Sequence, residues 1–106
     1  MALRIYDDVL DLVRQTKPVL DRVSRHDADL AGQGRRAMTS TPLSIAEGAR
    51  QRGGLGRARF DNAMGSADET RAVLQTAAAA GYIEDQVELV EAWRRIAKQL
   101  SVLMRR

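Results

Sequence analysis

From Leu3 to Val23 the apolar side chains share one arc when successive residues are placed about 100° apart around a helix axis. Ile5, Val9, Leu12, Val13, Val19, Leu20 and Val23, with Thr16 among them, fall opposite Asp7, Asp8, Asp11, Arg14, Gln15 and Arg22. Pro18 projects from the polar side, where the carbonyl it leaves unpaired can reach water, so a mild kink costs less there than in a core. The pattern predicts one helix. In "SRHDADL", Ser24, Asp27 and Asp29 are candidate caps, and acidic groups suit the start of a second helix because they face its unpaired N–H groups.

The second helix is expected from about Ala28 to Arg52, although Pro42 interrupts it. A true break would free the two halves from any common phase. Instead Leu30, Ala31, Gly34, Ala37, Met38 and Thr41 share their arc with Ile45, Gly48 and Ala49 beyond the proline, as one continuous but bent helix requires. The competing reading has Thr41 capping a fresh helix with Pro42 at its first position. In the bent helix, nearby hydroxyls could bond the carbonyl of Met38 that Pro42 leaves without a donor.

"RGGLG" at 52 to 56 reads as a turn. A third helix is expected from about Arg57 to Ala80, with Phe60, Ala63, Met64, Ala67, Leu74, Ala77 and Ala78 inward and Gly81 as its stop. Gly65 in mid-helix makes sense if another backbone approaches it, and small inward residues on both elements make helices two and three close neighbours. The fourth helix, about Glu84 to Met104, begins acidic and ends basic, which complements the helix dipole. Its apolar arc is wide: Val90, Trp93, Ala97, Leu100 and Met104 are extended by Leu89, Ile96 and Leu103 at sevenfold spacing. Together the four patterns predict an all-α, antiparallel up-and-down four-helix bundle in one domain, residues 1–106, with a surplus apolar edge at Leu43, Leu89, Ile96 and Leu103 for self-association.

Composition narrows the function classes. The chain has 106 residues and no cysteine, so a disulfide framework and thiol chemistry are both out of reach, and a reducing compartment, the cytoplasm, is the expectation. No apolar run approaches the roughly 20 residues of a membrane span, and "MALRIYDDVL" places charges where a signal peptide needs its apolar core, so an unprocessed soluble chain is expected. The formal charge of +3 is unevenly spread: residues 28 to 59 carry six arginines against Asp29 and Glu47.

Candidate chemistry is sparse. His26 with Asp27 and Asp29 contains metal-ligand types, yet an Asp-rich helix entry accounts for them, and a lone histidine cannot complete the Glu-x-x-His pairs of a di-iron bundle. Glu47 and Glu69 lack a histidine, cysteine or cleft-forming loop and are expected to pair with arginines across helices two and three. The glycines of "GARQRGGLGRARF" follow no strand and lack the lysine of a phosphate-binding loop. We therefore expect no catalytic residue, metal or cofactor, and no enzyme. Arg50, Arg52, Arg57 and Arg59 do gather in ten residues, and guanidinium forks match phosphate geometry, with Phe60 as the nearby stacking aromatic. On helix two, Arg36, Leu43 and Arg50 recur every seven residues along the outer side, either facing a partner or merely exposed.

The stretches "QGRRAMTSTPLSIAEG" and "AMGSADETRAVLQTAAAAGYI" closely resemble the four-helix-bundle family named for proteins encoded in intervening sequences of bacterial 23S rRNA genes, of which the accessory variability protein of diversity-generating retroelements is a relative. Members read Arg-Arg, then Ser-x-Pro-x-Asn-Ile-Ala-Glu-Gly, then Gly-Ser-x-x-Glu, and a Gly-Tyr before the last helix. Here those positions are Arg35 and Arg36; Ser40, Pro42, Ile45, Ala46, Glu47 and Gly48; Gly65, Ser66 and Glu69; and Gly81 and Tyr82. The likeness covers most of residues 28 to 104 and departs at Ser44, where asparagine is usual. It implies an antiparallel bundle with its proline inside helix two, a ring-shaped homopentamer, and a biochemical role undefined for most members. The retroelement relatives look like basic scaffolds for a reverse transcriptase and nucleic acid.

Two expectations follow. One is a non-enzymatic oligomeric scaffold that binds RNA, DNA or a nucleic-acid enzyme through Arg35, Arg36, Arg50, Arg52, Arg57 and Arg59. The other is a self-assembly or protein-interaction module with no nucleic-acid role.

Overall fold

A computed structural model describes residues 2–51 and 53–105. Four helices, α1 (Ala2–Ser24), α2 (Ala28–Arg50), α3 (Gly53–Ala79) and α4 (Val87–Met104), occupy it, with no strand among the described residues. Contacts run from α1 to α2, from α2 to α3 and from α3 to α4, and α1 closes against α4 through the thinnest of the four interfaces. One hydrophobic cluster draws on all four helices, with Val9, Leu20, Ile45, Leu74, Trp93 and Leu100 among its enclosed members. The molecule is a four-helix bundle measuring 42 × 22 × 19 Å.

The common phase across Pro42 is realised. α2 runs unbroken from Ala28 to Arg50 with Pro42 inside it, and Ala31, Gly34, Ala37, Met38, Thr41, Ile45 and Gly48 are all buried, while at the two ends of the expected arc Leu30 is half-buried and Ala49 exposed. The helix opens as expected at Asp27, whose Oδ1 accepts the Leu30 N–H at 2.9 Å. The hydroxyls differ in detail from the expectation. Thr41 Oγ1 donates to the Ala37 carbonyl at 2.9 Å and Thr39 Oγ1 to that of Arg35 at 2.9 Å, so neither serves the Met38 oxygen. Each hydroxyl takes as its shortest partner the carbonyl four residues back.

Two boundaries and one contact depart from the sequence reading. The expected turn at 52 to 56 is shorter than expected, because α3 already begins at Gly53, which enters it with φ +63°. Packing explains the glycines: a β-carbon on Gly56 would lie 2.8 Å from the Gln51 carbonyl oxygen and 3.2 Å from that of Gly48, while one on Gly48 would meet the Phe60 ring at 2.7 Å. α4 begins at Val87 rather than Glu84. Gly65, expected beneath an approaching backbone, is exposed with no heavy atom within 4 Å of a β-carbon site; the backbones of α2 and α3 approach at Gly48 and Gly56 instead, and Gly34 packs against side chains, Leu20 at 2.8 Å and Val73 at 3.0 Å. α3 does stop at Gly81, with φ +82°: the Gly81 N–H donates to Ala78 and the Tyr82 N–H to Ala77, both at 3.0 Å, capping the last carbonyls.

Candidate functional site

The six arginines of the second quarter divide by what surrounds them. Arg35 turns toward α1, where its Nη2 donates to Asp21 Oδ1 at 3.1 Å, and Arg59 reaches back from α3 to Glu47 Oε2 at 3.6 Å. Asp21 also accepts Lys17 at 2.7 Å, and the hydrogen bonds from Lys17 first and Arg35 second hold its carboxyl below the ordinary value. Both arginines are therefore partly neutralised. Arg36, Arg50 and Arg57 are exposed and form none of the ion pairs among the described residues; Arg52 lies outside them. Phe60 is half-buried with its ring against Gly48, so it is not the free stacking platform that the sequence suggested.

Arg36, Leu43 and Arg50 do form an outward ridge on α2, with Leu43 64 % exposed between two exposed guanidinium groups. The other half of the expected apolar edge needs correction. Ile96 is inside the chain's own core at 5 % exposure, and Leu89 and Leu103 are half-buried against it. That edge of α4 faces α1, where it forms one wall of a groove along the thin α1–α4 seam. Two adjoining cavities of about 530 and 220 Å³ mark the groove and share Leu12, Ala92 and Arg95. Its rims carry Asp8 and Asp11 from α1, Asp85 from the connection before α4 and Glu88 from the first turn of α4, while Arg95 is the one cation lining it. The sequence arc pointed to Leu89 but gave no sign that the flanking carboxylates of two helices would converge beside it.

Near one end of the seam, Arg22 Nη1 and Nη2 donate to the two Glu84 oxygens at 2.8 and 3.1 Å. The Arg22 guanidinium holds the Glu84 carboxyl down at about 2, well below the ordinary value, and the carboxylate in turn pushes the guanidinium above its own ordinary value. Beside this fork, His26 stacks on Tyr82 with ring centroids 5.2 Å apart and planes 3° from parallel. Asp27 is occupied as a helix cap, and no group of three or more His, Cys, Asp or Glu among the described residues could hold a metal ion. Glu47 pairs with Arg59 as expected, but Glu69 is exposed and the arginine pairing expected of it is not among the ion pairs of the described residues. No helix among them is long and apolar enough to cross a membrane.

The family model of the 23S rRNA-intervening sequence protein matches residues 1–103. No curated protein and no solved structure matches the chain.

Proposed function

The chain belongs to the 23S rRNA-intervening sequence protein family, and from that premise we propose that it is a non-enzymatic scaffold that works as a homo-oligomer. The observation that carries the reading is the α1–α4 seam. α1 and α4 meet through the thinnest of the four interfaces, and a groove lined by the half-buried Leu89 and Ala92 among polar and acidic side chains runs along it. Connections of three residues between α1 and α2 and of two between α2 and α3, joining helices packed side by side, support an antiparallel up-and-down order. A cyclic assembly, a pentamer on the family resemblance, covers such a seam on every copy without leaving a free end. The cytoplasm is the compartment this reading assumes.

Sedimentation tests it directly. The expected species has about five times the 11.7 kDa mass of the chain; a monomer at micromolar concentration overturns the proposal.

A second reading gives the scaffold a client. Exposed guanidinium groups at Arg36, Arg50 and Arg57 favour contact with the phosphates of RNA or DNA, or with a nucleic-acid enzyme such as a reverse transcriptase. Filter binding across a salt series checks this: affinity should fall steeply with salt, and the absence of binding at low salt excludes the client.

A further inference from the structure

We propose that the Arg36–Leu43–Arg50 ridge of one copy seats in the α1–α4 groove of the next, so that two different surfaces of the same chain meet head to tail. This rests on the homo-oligomer reading above and names the surfaces that make it. The two are complementary in chemistry. The ridge offers a leucine, 64 % exposed, between two cations that have no ion-pair partner among the described residues. The groove offers an apolar floor of Leu12, Leu89 and Ala92 between rims bearing Asp8, Asp11, Asp85 and Glu88. Asp11 already holds Arg14 at 2.7 Å and Arg95 lies in the groove, yet carboxylates still exceed cations there. Opposite potentials of this kind set register and orientation, while the enclosed leucine supplies the anchor.

Dimensions agree as well. Fourteen residues separate Arg36 from Arg50, about 21 Å of helix, and the groove follows α4 from Glu88 to Gln99 for about 16 Å. The ridge therefore places its leucine over the floor with an arginine near each end. It cannot fill its own groove, because α2 packs on α1 and α3 and faces away from the α1–α4 seam. Phosphate is a poor occupant of the groove, whose rims are acidic. A contact between unlike surfaces repeats from copy to copy and closes into a ring when the rotation allows. One consequence separates this inference from the nucleic-acid reading: seating the ridge encloses Arg36 and Arg50 and, of the three exposed arginines named there, leaves Arg57 free to meet phosphate.

The chain has no cysteine, which makes cross-linking clean. In the double variant Leu43→Cys with Ala92→Cys, mild oxidation should give a ladder of disulfide-linked multimers on a non-reducing gel, while neither single variant cross-links. Dimers from Leu43→Cys alone would mean that ridge meets ridge, and overturn the proposal. Charge reversal gives the second measurement. Arg36→Glu with Arg50→Glu should weaken assembly by at least about tenfold, and adding Asp8→Arg with Glu88→Arg should restore it, with helicity unchanged throughout. A wild-type assembly indifferent to both reversals, or a double-cysteine variant that stays unlinked, sinks this pairing and leaves the oligomer reading standing. A monomeric wild type sinks both.

Discussion

Replacing Gly34 by alanine adds one methyl group where α2 packs tightly against side chains of α1 and α3. The new carbon would stand 2.8 Å from Leu20 Cδ2, 3.3 Å from Leu20 Cδ1 and 3.0 Å from Val73 Cγ1. Neither neighbour can easily yield: Leu20 is 0 % and Val73 4 % exposed, and the β-branched valine is stiff at its first torsion. Forcing a methyl group into a packed site costs about 1–3 kcal/mol, while alanine in place of glycine within a helix gains about 1 kcal/mol. Gly65→Ala supplies the control, since it makes the same chemical change in mid-helix with nothing within 4 Å. It should therefore show the gain without the cost. Subtracting one variant from the other cancels helix propensity and isolates packing, leaving a gap of about 1–3 kcal/mol. At roughly 4–8 °C per kcal/mol for a chain of this size, the gap is on the order of 4–24 °C in melting temperature. The assay is thermal unfolding by circular dichroism at matched protein concentration, because assembly shifts apparent stability, with urea midpoints as a second reading. Equal melting of the two variants, or a higher value for Gly34→Ala, would refute the tight packing at Gly34.

Three further outcomes can be checked. Thr16→Val removes the partner of the Trp93 indole N–H, which donates to Thr16 Oγ1 at 3.0 Å with both residues 0 % exposed; leaving that donor unpaired should lower stability by about 1–3 kcal/mol in urea unfolding, with a value near zero counting against the bond. The Arg22–Glu84 fork should show in the acid limb: Glu84 is lowered from 4.5 to about 2 in the folded state, so its contribution is complete above 4.5 and is lost as the pH falls toward 2. Arg22→Gln should flatten the melting temperature against pH in that window and leave the curve above it parallel to wild type. In salt-dependent RNA or DNA binding, Arg57→Ala should reduce the slope of log affinity against log salt by about 1, and an unchanged slope removes Arg57 from the contact.

What sequence could reveal was phase, and what it could not reveal was register. The arc of α1, the unbroken course through Pro42, the Asp27 cap and the Gly81 stop all follow from the spacing of residues along a single helix. The start of α3 was missed because glycine scores as a turn former, whereas Gly56 is needed where a β-carbon would run into the Gln51 and Gly48 oxygens, a demand set by the neighbouring helix. Gly65 and Gly34 look alike in sequence, and only the packing of α2 against α1 and α3 distinguishes them. The same holds at the candidate site. That Arg35 meets Asp21 and Arg59 meets Glu47, while Arg36, Arg50 and Arg57 stay exposed, depends on how far each helix slides along the next. Ile96 was read as edge because its phase borders the apolar arc, and α1 lies close enough to enclose it.

The one tryptophan of the chain is Trp93, enclosed on all sides and held by Thr16. Its fluorescence therefore comes from the interior alone. Parting one copy from another leaves the emission colour unchanged, because no part of the indole reaches the surface where copies would touch. Unfolding brings water to the ring and shifts the emission to longer wavelength. A shift in emission thus reports collapse of the subunit alone, whatever its state of association, without attaching any label.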